Sequence, residues 1–183
     1  MYPDLYLMRH GQTEWNLAGR MQGRSDSPLT ELGMAQAARQ SELIGDVTAE
    51  RISSPQGRAL RTADVVFAGK EFRVDSRLCE IDVGEFTGHR VEELRPAHPE
   101  CFAGSPLDWY DRSPGGENFT QLSVRCQSFL DDLTGPALIV THGITLRMLR
   151  ILALGLPRSR LADLPVEQGA VHVVRKAAHE VWR

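Results

Sequence analysis

The sequence predicts an α/β fold built around a largely parallel sheet, and three observations lead there. Strand-like and helix-like patterning alternate through most of the 183 residues, as in layered α/β domains. The run Leu138-Ile139-Val140 is apolar without alternation, which fits a central strand buried on both faces. No internal repeat and no linker-like stretch divides the chain, so residues 1–183 are expected to form a single domain.

Leu5 to Arg9 reads as the first strand. Thr30 to Leu43 reads as a helix, with Leu32, Ala35, Ala38 and Ile44 at roughly helical spacing and Thr30 as its N-cap. Arg51-Ile52-Ser53 is a short strand closing at Ser54-Pro55. A helix from Gln56 to Phe67 follows, with Ala59, Thr62, Ala63 and Val66 facing inward, then a short strand at Phe72 to Val74. Residues 79–116 carry repeated Gly and Pro and read as an irregular surface segment that can roof a pocket, with a short helix near Arg90–Leu94. Glu117 to Leu133 is a longer helix with Phe119, Leu122, Cys126, Phe129 and Leu130 on one side. Ala137 to Thr141 is the clearest strand, Ile144 to Leu154 a helix ending at Gly155. Ala170 to Arg175 and Glu180 to Trp182 are late strands joined by a polar turn.

Composition bounds the function. With 42% hydrophobic residues, 25% charged residues and a net charge of -3, the chain can bury a sizeable core and lacks the basic balance of a nucleic-acid binder. Its basic pairs, Arg58/Arg61 and Arg147/Arg150, are short and embedded in apolar segments. No apolar stretch approaches the ~18 residues of a membrane span. Met1-Tyr2-Pro3-Asp4 lacks the features of a secretory signal, so a cytoplasmic location is expected. Cys79, Cys101 and Cys126 are widely spaced and read as free thiols.

Ligands in open α/β sheets bind beyond the carboxyl ends of strands. His10 and His142 each fall one step past such an end, and each is followed by a glycine that lets the backbone turn or approach a ligand. Parallel neighbouring strands would bring the two loops together. Arg9 precedes the first histidine, and Arg58, with Arg61 one turn on, opens the helix after Ser54-Pro55. Arginines so placed can hold phosphate oxygens in charge-assisted bonds. Cys79-Glu80-Ile81-Asp82-Val83-Gly84-Glu85 adds carboxylates, and Glu80 and Asp82 share a face if the stretch is extended. A carboxyl beside a phosphate suits a general acid for a leaving alkoxide. Spacing alone leaves Glu80 and Asp82 as alternatives.

Together these residues suggest phosphoryl transfer without a metal or other cofactor. One histidine attacks phosphorus, the arginines and the second histidine balance charge, and a carboxylic acid protonates the leaving oxygen. The rival is a metal hydrolase with His10, His142, Glu80 and Asp82 as ligands. Two arginines aimed at the site would repel a divalent cation, and no HxH or HxxxH spacing occurs.

The pattern resembles the histidine phosphatase superfamily, in its phosphoglycerate mutase-like branch. The resemblance rests on Arg9-His10-Gly11-Gln12-Thr13-Glu14-Trp15-Asn16, Gly19-Arg20, Gln22-Gly23, Asp26, Pro28-Leu29-Thr30 and Gly33. It continues through Ser53-Ser54-Pro55, Arg58-Ala59, Thr62-Ala63, Leu78, Glu80, Gly84 and Thr141-His142-Gly143. It implies a three-layer α/β/α fold with a mostly parallel central sheet and the segment around residues 85–116 over the pocket. It also implies His10 as the nucleophile, with Arg9, Arg58 and His142 completing the phosphate pocket, and Glu80 as the proton donor. Asn16 and Gln22 fall where the family places substrate-side contacts.

The implied activity is hydrolysis of a small phosphorylated metabolite. A phosphoglycerate mutase is the first alternative, and an inactive phosphate-ligand-binding module on the same fold the second. Mutases of this kind are usually longer and tend to carry Glu-Ser where this chain has Gln12-Thr13. The family's Trp-Glu-Gly near the acid is Phe86-Thr87-Gly88 here. His89, Arg90, His98 and Arg112 in the roof read as solvated loop residues, with a second anionic group of the substrate as the alternative. Trp109-Tyr110 is expected to line or anchor the roof. The natural substrate and the oligomeric state, homo-oligomer included, stay open.

Overall fold

Two strands with both faces covered organise the molecule. The computed structural model describes residues 2–183. Its strands are β1 (Leu5–Arg9), β2 (Glu50–Ser53), β3 (Arg73–Val74), β4 (Ala137–Thr141), β5 (Val171–Arg175) and β6 (Ala178–Trp182). Its helices are α1 (Glu14–Leu17), α2 (Glu31–Ile44), α3 (Gly57–Val66), α4 (Val91–Leu94), α5 (Phe119–Asp131) and α6 (Gly143–Ala153). The sheet runs β3-β2-β4-β1-β5-β6, parallel from β3 to β1, with β5 antiparallel to β1 and β6 antiparallel to β5.

Leu5 and Leu7 of β1 join Ala137 and Ile139 of β4 in a core with α5 and α6, while Tyr6 and Met8 join Leu138 and Val140 in a core with α2 and α3. Successive side chains alternate across a strand, so an unbroken apolar run feeds two cores at once. The result is helix layers on both faces of a mostly parallel sheet. Among the described residues, no helix is long and apolar enough to cross a membrane. Cys79, Cys101 and Cys126 are free and buried.

Most elements lie where the patterning predicts them, and Thr30 does cap α2, accepting from Gly33 N. The inward face of α2 differs from the expectation. Leu32 is exposed, as are Ala35 and Ala38, whereas Gly33, Ala37, Gln40 and Ile44 are buried. Gly33 faces inward because a Cβ there would stand 2.1 Å from Gln12 O, and one on Gly11 would stand 2.2 Å from Gly33 O. Gln40 faces inward because its amide donates at 3.0 Å both to Arg9 O and to Ala170 O. Backbone contact and hydrogen bonding orient this helix, and hydropathy does not report them. The single-turn α1 and short 3₁₀ turns, including Gly84–Phe86 and Asp108–Asp111 in the roof, also go beyond the sequence expectation.

Candidate active site

Three neighbouring parallel strands reach the same sheet edge, and each hands a polar side chain to the loop beyond it. β1 is followed by His10, β2 by Ser54 and β4 by His142. The pairings Arg9↔Thr141 and Ser53↔Val140 set these residues side by side. The His10 and His142 ring centroids are 5.1 Å apart. The two distant His-Gly loops do meet.

His10 is buried, with Nδ1 2.7 Å from Gly11 O. A carbonyl only accepts, so Nδ1 carries the proton and Nε2 is a lone pair. That lone pair accepts from Arg58 Nε at 3.2 Å. Burial, then the Arg58 and Arg9 charges, hold the imidazole well below its ordinary pKa. His10 is a neutral base. His142 is depressed likewise, by burial and then by Arg58. Its Nε2 lies 2.7 Å from Ser54 Oγ, while its buried Nδ1 has no partner among the described residues.

Arg58 is buried in spite of its charge. Its Nη1 donates to Asp26 Oδ1 at 2.8 Å and Ser25 O at 2.6 Å, and its Nη2 to Gly23 O at 2.9 Å. Asp26 also accepts from the backbone N–H of Gly57 and Arg58, supplying the cap that the Gln56 side chain does not. One carboxylate thus offsets both the guanidinium and the positive end of α3. Arg61 is exposed and faces a separate hollow beside Asp26, Pro28 and Leu29.

Arg9 is held by Val166 O at 3.3 Å, and its buried Nε has no partner among the described residues. Burial, opposed by Glu80, draws its pKa below the usual arginine value. The Glu80 carboxylate accepts from Ile144 N and Thr145 N, each at 3.1 Å, and from Ile81 N at 3.0 Å. Ile144 and Thr145 lie in the first turn of α6, whose N-cap is His142, so one helix start presents the second histidine and seats the carboxylate. Asp82 is turned into its own loop, where Oδ1 accepts from Gly84 N at 2.9 Å.

A cavity of about 150 Å³ is lined by Arg9, His10, Asn16, Gln22, Arg58 and Glu80. His142 packs against the His10 ring and does not itself line the cavity. Tyr110 also lines the cavity, and burial followed by the Glu80 charge pushes its hydroxyl above its usual pKa. Its neighbour Trp109 anchors the roof against Phe86 and Phe102. His89, Arg90, His98 and Arg112 do not line the cavity. His98 packs on Phe86, and Arg112 donates to Glu100 O and Ala103 O. Among the described residues, the trio of metal-type side chains that comes within 4.8 Å is His98, Glu100 and Cys101, in the roof and outside the cavity.

A family model described as the histidine phosphatase superfamily (branch 1) matches residues 5–182. The chain belongs to the histidine phosphatase superfamily. This superfamily chain is 38% identical to "Probable phosphoglycerate mutase GpmB" of Proteus mirabilis, over 84% of this chain and 76% of that one. Among solved structures it is similar to Bacillus stearothermophilus YhfR, with TM-score 0.82 and 34% identity, covering 98% of this chain and 95% of that one. A mycobacterial glucosyl-3-phosphoglycerate phosphatase, solved with VO3, gives TM-score 0.85 and 28% identity over 98% of each chain.

Several residues that shape the cavity of this superfamily member had no role in the sequence reading. Asp26 and Ser54 stood within its motifs, and their roles depend on Arg58 and His142 being brought to them. Gln168 stands alone between Glu167 and Gly169 in a mostly apolar connection and carried no signal at all.

Proposed function

We propose that this chain is a phosphomonoester hydrolase that acts on a small phosphorylated metabolite through a phosphohistidine at His10. The observation that carries this reading is the state of His10: a buried, neutral imidazole whose unprotonated Nε2 faces the cavity-lining Arg58. A phosphoryl group entering there would meet Nε2 as nucleophile and the Arg9 and Arg58 guanidinium groups as charge partners. The Arg9 Nε–H, unpartnered among the described residues, is a donor that its oxygens would satisfy, and His142 Nδ1 is a second when Ser54 Oγ donates to Nε2 and the ring proton sits on Nδ1. Asn16 and Gln22 would add contacts on the substrate side.

Glu80 is the proton donor in this reading. It protonates the leaving oxygen as the Nε2–P bond forms and the P–O ester bond breaks. The resulting carboxylate then takes a proton from the water that attacks the phosphohistidine, releasing inorganic phosphate and regenerating His10. Both steps use groups of this chain alone, so the reaction needs no metal or other cofactor. Residues 1–183 act as one domain.

The test is phosphate release from an aryl phosphate in the presence of chelator, compared between the unsubstituted chain and His10→Ala. Release that persists with chelator and vanishes in the variant is expected, as is an acid-labile phosphoryl adduct trapped at His10. Chelator-sensitive release would overturn the reading. The name of the Proteus mirabilis relative favours a second reading, phosphoglycerate mutase. Interconversion of the two monophosphoglycerates, dependent on a bisphosphate primer, would establish it instead.

A further inference from the structure

The stretch between the 3₁₀ turn Arg158–Asp163 and β5 looks like a connection, yet it approaches the cavity from behind. Arg147 Nε donates to Leu164 O at 2.9 Å, Arg150 donates to Pro165 O, and Arg9 Nη1 donates to Val166 O at 3.3 Å. Three consecutive carbonyls thus hold three arginines. Gln168 follows, and its Nε2 donates to His10 O at 3.0 Å and to Asn16 Oδ1 at 3.2 Å.

Backbone groups dictate the orientation of both carboxamides. His10 O can only accept, so the Gln168 amide must turn its NH₂ toward it. Thr13 N–H can only donate, and it lies 3.2 Å from Asn16 Oδ1, so that oxygen must face Thr13. Asn16 Oδ1 is therefore engaged by two donors. Its Nδ2 has no protein acceptor among the described residues, and Asn16 forms part of the cavity wall.

We infer that Gln168 is a positioning residue, which holds the Asn16 carboxamide with its NH₂ toward a phosphoryl group in the cavity. This rests on the reading of the cavity as a phosphoryl site. Without Gln168 the Asn16 carboxamide keeps one fastener and gains freedom about its last torsion, which is broad for an sp³–sp² bond. An Oδ1 turned inward would set a lone pair against the phosphate oxygens, whereas Nδ2 gives them a charge-assisted bond.

A double-mutant cycle tests this, using inorganic orthophosphate affinity by calorimetry and kcat/KM for an aryl phosphate. Gln168→Ala is expected to weaken both by about tenfold when Asn16 is present, the scale of one hydrogen bond to a charged group. In the Asn16→Ala background the same change is expected to cost less than about twofold, because partners acting as one unit are not additive. An equal loss in both backgrounds would overturn the inference and reduce Gln168 to a structural part. Gln168→Met, which keeps the length and removes the donor without adding charge, gives the same reading if the alanine variant fails to fold. Orthophosphate affinity separates this inference from the functional one: a chain that binds phosphate with the expected coupling but turns over no ester retains the positioning role and loses the hydrolase.

Discussion

Asp26 and Arg58 form an ion pair of 2.8 Å in which the arginine side chain is 1% exposed and the aspartate 39%. The same carboxylate caps α3, so removing it unpairs a buried charge and a helix start together. Asp26→Ala is expected to destabilise the fold by about 2 kcal/mol, below the full value for a buried pair because Asp26 is partly solvated. Asp26→Asn, which keeps an acceptor for the cap, should lose less. Denaturant unfolding checks both, and an alanine variant as stable as the parent would reject the dual role.

Gly33→Ala is expected to destabilise by about 2–3 kcal/mol, because its Cβ would meet backbone and not a yielding side chain. Gly143→Ala is the contrast, since a Cβ there finds its nearest atom, Arg9 Nε, at 3.6 Å, an ordinary contact. It should change stability by less than about 1 kcal/mol. Equal losses in the two variants would contradict the packing described for the first loop.

Stability should fall as pH drops below the ordinary histidine range. Burial depresses His10, His142 and His179, and holds His172 down to about 3. An unfolded chain takes up these protons near pH 6.5 while the folded chain resists them. The stabilising effect is therefore whole above that pH and is lost as pH falls toward the folded values. Each such histidine contributes a slope of up to about 1.4 kcal/mol per pH unit. Urea midpoints between pH 8 and 5 measure it, and His172→Asn should flatten the slope. A midpoint that does not move over this range would refute the assignment of neutral histidines.

Glu80→Gln separates acid catalysis from binding. An alkyl phosphate has a poor leaving group and should lose about 10²–10³-fold in kcat/KM. An aryl phosphate with an acidic leaving group should keep most of its phosphorylation burst. A uniform loss on both substrates would assign Glu80 to charge placement and remove it as proton donor.

β1 and β4 were legible in the sequence because an apolar run flanked by polar turns has few other uses, and the His-Gly pairs at their ends located the site. The choice between Glu80 and Asp82 was not legible from spacing, since both alternate onto one face of an extended segment. In the fold the two carboxylates part: Glu80 lines the cavity, seated by the Ile144 and Thr145 N–H groups once α6 is docked, whereas Asp82 turns into its own loop. The inward face of α2 was misread because Gln40 is buried by two carbonyl partners that no local pattern announces. Gln168 lies at the far end of the same scale: its partners His10 and Asn16 are distant in sequence, and a single glutamine has no periodicity to betray it.

The sheet order has a consequence for how the molecule is made. β1 lies between β4 and β5, with Leu5 paired to Ala137 on one side and to Val174 on the other. β1 must therefore stay unpaired on both edges until β4 has been translated, and on one edge until β5 has. Nascent chains should accordingly depend on shielding of that apolar segment, and His10 should meet His142 only after β4 has been made and paired with β1.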